Sequence, residues 1–346
     1  MMELNIKLVL PVMIPLPIFD QQKILQEECL EEVMSLSGKV ATIYPFDSIY
    51  DEVPLFFNIY QSPEQCTLIK KIWKPAATGR KYKVIEVIAK VNVDFEKILA
   101  DFIRENGEGK ITLDELLGVV KDDVMSEIIY EIRIFILMCN TVRPGSISLI
   151  EGYSFLENEY YKPIKSFYTE HLFFAMEAAA KNSWPSFFKI NIKDARQWLI
   201  DYKFIQNGVG IGSTGRAISA LSYVIPESFQ SNNIDLAWIL LGLEALYTKN
   251  NVGLKNQLLE KTELILGKRS SNKKAFGAMY DFRSRLLHGD IDLPLRFSEF
   301  DTERIEDFDL EISANEKIAL AVLIATLQWM IKNRKSELQF AYELMN

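Results

Sequence analysis

The sequence predicts an α+β domain at the N-terminus followed by a mainly α-helical bundle, and two observations predict this order. β-branched runs with a period of two are concentrated in the first 160 residues, whereas from about residue 163 onward apolar residues recur at three- and four-residue spacing. At roughly 150 residues per domain, a chain of 346 residues is expected to form two domains, here 1–160 and 161–346.

The composition supplies enough apolar material for two cores, since 49% of the residues are hydrophobic and 25% are charged. A net charge of −8 argues against a protein coated in basic surface, so any contact with nucleic acid must be local. The cysteines, Cys29, Cys66 and Cys139, are odd in number and form no C-x-x-C pair. No disulfide framework, metal site or cofactor is therefore predicted, and a reducing cytoplasm fits best.

No membrane segment is expected either. The apolar opening carries Glu3 and Lys7 and is interrupted by prolines, and it lacks a basic start and a small-residue cleavage site. The apolar run Ile318–Ile331 is shorter than the roughly 20 residues that span a bilayer. We expect strand and loop at the N-terminus and a buried helix in the second segment.

The individual elements follow from local patterns. In the first domain they are a strand around Ile6–Leu10, a helix at Gln21–Leu36, a strand at Tyr82–Val91, a helix at about Asp122–Thr141 that Pro144 and Gly145 stop, and a hairpin within 146–161. In the second domain helices are expected at about 166–181, 192–206, 216–229, 233–249, 252–266, 272–288 and 313–332, with a terminal stretch at 334–345. The segment Ile234–Tyr247 is apolar on most sides, as at the centre of a bundle, and Ser313 with Glu316 forms a capping-box signature.

Two motifs have a functional and a structural interpretation. Residues 104–115 resemble a calcium loop, but Arg104 stands where the first oxygen ligand belongs; the alternative is a turn followed by a helix that Thr112 and Glu115 cap. The glycine-rich run 207–216 resembles a phosphate-binding loop but lacks the lysine of a P-loop. Its alternative is a connection between two helices.

Histidine is scarce, so general acid–base chemistry near neutral pH has few candidates. His171 lies in an apolar stretch and is interpreted as a packed or capping residue, whereas His288 ends a predicted helix that also carries Arg283 and Arg285. On an ideal helix Arg285 and His288 are about 60° apart and share a face, while Arg283 and His288 are about 140° apart. A loosened last turn, the reach of the arginine or a symmetric partner would have to bring them together.

Charge is unevenly distributed around this helix. Residues 249–290 carry nine Lys and Arg against four Asp and Glu, a plausible footprint for a phosphate backbone. Residues 290–311 then hold nine acids against Arg296 and Arg304. One edge of the site would therefore repel RNA unless this loop folds away.

These residues resemble the Apea-like branch of the HEPN superfamily, whose pattern is an arginine, four to six residues, then a histidine near the end of a helix. Arg283 and His288 match with four residues between them, and Tyr280, Ser284 and the helix carrying Glu244 are similar to that branch. The resemblance covers about residues 210–335; the N-terminal half resembles no family.

The resemblance implies a metal-independent endoribonuclease acting as a homodimer, in a prokaryotic stress or phage-defence setting such as a toxin–antitoxin system. His288 would be the general base or acid, Arg283 would hold the scissile phosphate, Arg285 would be a second phosphate ligand, and Glu244 would orient an arginine or the histidine. The N-terminal domain would bind a regulatory protein or ligand.

Two alternatives stay open. Active members often carry Asn, Asp or His directly after the arginine, where this chain has Ser284, so a non-catalytic module that binds RNA, nucleotides or a protein partner is the second hypothesis. Cations at a helix C-terminus also stabilise the helix by a few tenths to about 1 kcal/mol each, which would explain Arg283, Arg285 and His288 without any ligand.

Overall fold

A computed structural model describes residues 2–38, 53–70, 72–73, 80–107, 109–206, 208–225, 235–249, 253–269, 273–288, 290–291 and 303–340. The chain divides into two compact units, Met1–Tyr168 and Thr169–Asn346. The first contains an antiparallel sheet and helices and the second is mainly helical, which confirms the predicted order of α+β before α. The boundary expected near residue 160 falls inside a strand, Glu159–Ile164, whose pairing keeps those residues in the first unit.

The first unit is built on a five-stranded antiparallel sheet of order β2-β3-β1-β4-β5. The strands are β1 (Met2–Met13), β2 (Leu55–Tyr60), β3 (Tyr82–Val93), β4 (Gly152–Leu156) and β5 (Glu159–Ile164). The predicted strands around Ile6–Leu10 and Tyr82–Val91 are the two central ones, which pair along their whole length from Met2 opposite Val93 to Met13 opposite Tyr82.

Three helices accompany the sheet, namely α1 (Asp20–Ser35), α2 (Phe95–Asn106) and α3 (Leu113–Val142). One sheet face carries Leu8 and Phe57, and the Phe57 ring stacks on Phe135 of α3 at 5.4 Å between centroids. The opposite face carries Val9, which packs with Cys66 and Ile69 of the segment after β2. Both faces of the central strands are therefore buried, which explains their nearly continuous apolar runs.

The second half of the calcium-like motif forms a helix cap. The Thr112 hydroxyl accepts the Glu115 backbone N–H at 3.2 Å, and the Glu115 carboxylate accepts the Thr112 backbone N–H at 2.8 Å. This capping box starts α3 nine residues before the predicted position of Asp122, and the helix ends at Val142, one residue after the predicted Thr141. The structural interpretation of the motif is confirmed.

The second unit contains seven helices among the residues described: α4 (Glu170–Lys181), α5 (Ile192–Tyr202), α6 (Gly212–Val224), α7 (Asp235–Tyr247), α8 (Leu254–Leu266), α9 (Lys273–His288) and α10 (Glu303–Lys332). A small hairpin, β6 (Ile205–Gln206) with β7 (Val209–Gly210), joins α5 to α6. The structural interpretation of the glycine-rich run, a connection between two helices, is confirmed for residues 208–211, and residues 212–216 already belong to α6. A side chain at Gly215 would lie 2.4 Å from the Phe204 carbonyl oxygen, so the start of α6 needs glycine for packing.

Two expectations for the end of the chain are wrong. Ser313 and Glu316 do not begin a helix, because α10 already runs from Glu303 through both residues. The described part of the terminal stretch is irregular rather than helical. Its backbone carbonyls accept side-chain hydrogen bonds, from the Trp198 indole to Lys335 at 2.8 Å and from the Thr214 hydroxyl to Ser336 at 2.6 Å.

Within the described ranges, no helix combines the length and the apolarity that a membrane crossing needs. The same ranges contain no cluster of three or more His, Cys, Asp or Glu side chains that could hold a metal ion.

Candidate functional site

Helix α7 fixes the position of Glu244. Leu236, Ile239, Leu240 and Leu243 are fully buried, which holds the helix against its neighbours. At Gly242 the packing is so close that an added Cβ would lie 3.1 Å from the Cβ of Ala220 on α6 and 3.3 Å from Leu323 on α10. Glu244, two residues on, leaves this packed face with its side chain 15% exposed.

Helix α9 is anchored on the opposite side of the site. Met279 and Phe282 are buried, and the Phe282 ring contacts Phe308 of α10 at 6.2 Å between centroids. Tyr280 and Arg283 are three residues apart and therefore neighbours on the surface of the helix. The buried Met279 and Phe282, which alternate with this pair along the chain, set the direction in which it points.

Arg283, Glu244 and Tyr280 meet in one cluster. The Arg283 Nη2 atom lies 3.4 Å from Glu244 Oε1, and the Tyr280 hydroxyl donates to that same oxygen at 3.2 Å. The guanidinium also stands 5.6 Å from the centre of the Tyr280 ring, within the range of a cation–π contact. Burial first, and then the charge of Glu244, raise the pKa of the Tyr280 hydroxyl, which therefore stays protonated as a donor.

Glu244 contacts Arg283, and its role in orienting that arginine stays a prediction. Arg283 also has one hydrogen-bond donor that Glu244 does not occupy. Its Nε atom is shielded from solvent and has no hydrogen-bond acceptor among the residues that the structure describes. A buried donor without a partner costs about 1–3 kcal/mol, and an anionic oxygen would satisfy it. The guanidinium is therefore held firmly but not saturated.

Arg285 points elsewhere. Its Nη1 atom pairs with Glu311 of α10 at 3.5 Å, with both side chains about half exposed. Such an exposed pair is worth at most about 1 kcal/mol, so Arg285 can exchange Glu311 for another anion at little cost. Ser284 is partly buried.

His288 closes α9 with an exposed side chain, and the helix keeps α geometry up to it. A loosened last turn is therefore not what the structure has, and the angle of about 140° between Arg283 and His288 remains. A single chain holds Arg283 against α7 and leaves His288 in solvent. The reach of the arginine and a symmetric partner remain as ways to bring the two together.

His171, the second histidine, is a packed residue, as expected. It stands in the first turn of α4, and its Nε2 atom is enclosed with no hydrogen-bond partner among the described residues. Burial lowers the pKa of His171 from 6.5 to about 4. This imidazole is neutral at physiological pH and is separate from the Arg283 cluster in its contacts.

The basic footprint of 249–290 is smaller than the sequence predicts. Lys261 is buried and donates to the Tyr247 carbonyl at 2.7 Å, and burial lowers its pKa. Arg269 is also buried and pairs with Glu263 at 3.0 Å. Lys255 binds Asp281 at 2.7 Å. These three cations have structural partners, while Lys249 and Lys268 are exposed, and Arg283 and Arg285 at the end of α9 each contact one carboxylate.

One aromatic pair, on α6 and α7, was not predicted from the sequence. The rings of Tyr223 on α6 and Trp238 on α7 stack at 4.3 Å between centroids with 12° between their planes. Tyr223 is 61% exposed. The sequence signal that could have found this pair is a large aromatic residue on the polar side of an amphipathic helix. Arg216, two turns earlier on α6, marks that side because it is also exposed.

A cavity of about 290 Å³ also exists in the second unit. It is lined by Tyr202, Ile265, Trp329 and residues 334–339, and it shares no residue with the Arg283 cluster. No sequence motif pointed to it.

Comparison with known proteins returns no relative from which a function could be transferred. No family model matches the chain, and neither a curated protein nor a solved structure matches it.

Proposed function

We propose that the protein is a metal-independent endoribonuclease of the HEPN type, in which Arg283 and His288 act on RNA. The observation that carries the proposal is the Arg283 cluster, in which Glu244 and Tyr280 contact the guanidinium while its Nε–H has no acceptor among the residues described. An exposed histidine lies five residues further along the same helix. The pairing of a positioned cation with an accessible imidazole is what phosphate-ester cleavage needs.

In the proposed reaction His288 removes the proton from a ribose 2′-hydroxyl. The 2′-oxygen forms a bond to the adjacent phosphorus while the bond from phosphorus to the 5′-oxygen breaks, and the leaving oxygen takes up a proton. The products are a 2′,3′-cyclic phosphate and a 5′-hydroxyl end. Arg283 binds the non-bridging oxygens, where negative charge develops, and a planar, permanently charged guanidinium suits this role.

The separation of about 140° between the two side chains supports a homodimer as the active form. In a symmetric pair the Arg283 of one protomer and the His288 of the other would lie on one cleft, because a two-fold axis beside α9 brings the two helix ends together. A monomer leaves each half of the site incomplete.

The proposed setting is prokaryotic stress or phage defence, with the first unit as the regulatory part that binds a protein or ligand. Uncontrolled RNA cleavage harms the cell that makes it, so a nuclease of this type needs a control element. The sheet unit is the part of the chain without a proposed catalytic role.

The test uses the purified full chain and a labelled single-stranded RNA, with EDTA present. We expect cleavage that leaves a 2′,3′-cyclic phosphate and that falls by about 10²–10⁴-fold in His288→Ala and in Arg283→Ala. Arg334→Ala is the matched control, because Arg334 is a half-exposed arginine of the same unit that pairs with Asp201. Loss of activity in EDTA, or undiminished cleavage by both site variants, would contradict the proposal.

A non-catalytic RNA-binding or interaction module is the second candidate. Ser284 after the arginine and the occupation of Arg283 by Glu244 favour it. Expression in a bacterial host separates the two candidates. Growth arrest by the wild type but not by His288→Ala supports the nuclease, and equal growth of both supports the module.

A further inference from the structure

The stacked pair of Tyr223 and Trp238 presents a flat apolar surface to solvent. Because the two rings are nearly parallel at 4.3 Å, Trp238 supports one face of Tyr223, and the 61% exposure of Tyr223 leaves ring surface open. Aromatic rings attract a further ring in offset-stacked geometry, worth about 0.5–1.5 kcal/mol beyond the area buried. The pair is thus prepared for a third flat ring.

The position of the pair relative to the Arg283 cluster follows from helix geometry. On α7, Leu241 is three residues from Trp238 and three from Glu244, so these two side chains leave the helix about 60° to either side of Leu241. Leu241 itself is 49% exposed. Trp238 contacts α6 on one flank and Glu244 contacts α9 on the other, about 9 Å apart along the axis. A ligand lying across Leu241 reaches both.

The chemistry of these two flanks matches single-stranded RNA. One flank offers the partly exposed guanidinium of Arg283 for a phosphate, and the other offers stacked rings for a base. Proteins that bind single strands combine these two features. One OB fold covers about 4–16 nucleotides, which is more than the distance between Trp238 and Glu244 requires.

A second copy of the chain fits the patch less well. A stable interface buries about 800 Å² on each partner, whereas the apolar patch formed here by the described residues consists of the exposed Tyr223 and Leu241 and the partly buried Trp238. Arg216 and Ser222, which flank Tyr223 on α6, are exposed and polar. A patch of this size and border suits a small flat group rather than a protein surface.

We infer that the Tyr223–Trp238 stack is a base-stacking subsite that binds an unpaired nucleobase next to the phosphate held by Arg283. The inference rests on the proposed function and adds to it the substrate class, which is RNA that is single-stranded on one side of the scissile bond. Tyr223 supplies the outer ring, Trp238 supports it, and Leu241 lies beneath the connecting sugar and phosphate.

The experiment measures binding of a 2′-O-methyl RNA octamer, which lacks the attacking hydroxyl and so stays intact. By fluorescence anisotropy, Tyr223→Ala is expected to bind about 5- to 150-fold more weakly, from about 1–3 kcal/mol per stacked base. Tyr223→Phe keeps the ring and is expected to bind within about twofold of the wild type. Tyr160→Ala is the matched control, since Tyr160 is a 49% exposed tyrosine of the first unit.

A series of octamers with a single abasic site locates the base. In the wild type one abasic position is expected to weaken binding as much as Tyr223→Ala does, and combining the two changes is expected to cost no more than either alone. Additive losses at every position would overturn the subsite.

The outcomes separate the two proposals. If the wild type cuts RNA in a manner that needs His288, but Tyr223→Ala binds the octamer as tightly as the wild type, the subsite is wrong and the nuclease stands. If the wild type neither binds nor cuts RNA, both are wrong. If Tyr223→Ala changes the sedimentation of the RNA-free protein, the patch is a contact between subunits, and the subsite is wrong.

Discussion

Arg143 of the first unit and Arg283 of the second are both largely shielded arginines, with side chains 10% and 24% exposed. Arg143 lies between two carboxylates of α1, Glu28 at 3.3 Å and Glu32 at 3.4 Å. Arg283 contacts the one carboxylate Glu244 within the described ranges. The surroundings of Arg143 are thus net negative and repel a phosphate, while those of Arg283 are close to neutral. The number of carboxylates per arginine, rather than burial, separates a structural arginine from a candidate anion ligand.

The number of neighbouring carboxylates also matters for an acidic residue, Glu316, which is affected by the charge of Asp235. Burial, and then the charge of Asp235, raise the pKa of Glu316 from 4.5 to about 8, although the Leu236 backbone N–H and Lys317 oppose the shift. Because the folded-state pKa is raised, the contribution of Glu316 to stability is complete below about pH 4.5 and is lost as the pH rises to about 8.

The largest expected effect on stability therefore comes from Glu316→Gln. Since the amide cannot ionise, we expect the free energy of unfolding to rise by about 2–4 kcal/mol at pH 8 and to change little at pH 4. Urea unfolding at both pH values measures this difference. An equal effect at pH 4 and pH 8 would show that ionisation of the buried Glu316 is not its cause.

Arg143→Met and Arg283→Met test the two arginines directly. We expect Arg143→Met to lower the free energy of unfolding by about 2–3 kcal/mol, because two carboxylates are left facing each other, and to leave RNA cleavage per folded molecule unchanged. Arg283→Met is expected to cost about 1 kcal/mol and to remove cleavage. Urea unfolding and cleavage rates on the same preparations measure both, and the reverse pattern would break the comparison.

Glu244→Gln changes the carboxylate count at Arg283 and keeps an acceptor for Tyr280. As Glu244 is a positioning residue, we expect kcat to fall about tenfold because the guanidinium loses its fixed direction. KM should stay level or decrease, since a freed cation attracts RNA more strongly. Asp201→Asn, at the exposed ion pair with Arg334, is the control. A rise in KM without a fall in kcat would argue against the positioning role.

Much of the fold could be predicted because its elements depend on local patterns. The central strands follow from β-branched runs, and the Thr112–Glu115 cap follows from a four-residue signature. The same signature at Ser313–Glu316 gave a wrong prediction of a helix start. A local pattern does not show whether the residues before it are already helical, and here α10 begins at Glu303. Glu316 instead points toward Asp235, a residue distant in sequence.

Only part of the candidate site could be predicted from the sequence. The residues of α9 could be named because His288 is one of two histidines and ends a helix with Arg283 and Arg285. The contact between Glu244 and Arg283 was expected from a resemblance, since residues 39 positions apart give no local signal of contact. The Tyr223–Trp238 stack was missed for the same reason, as it depends on the crossing of α6 and α7.

The close packing at Gly242 bears on which parts of the site can move. With Ala220 and Leu323 at 3.1 and 3.3 Å from the place of a single methyl group, α6, α7 and α10 have no slack between them at that level. They are expected to shift as one body on the microsecond-to-millisecond timescale of collective motions. Opening and closing of the candidate cleft would therefore require α9 to shift on α10 at the Phe282–Phe308 contact, which moves Arg283 and His288 relative to a stationary Glu244.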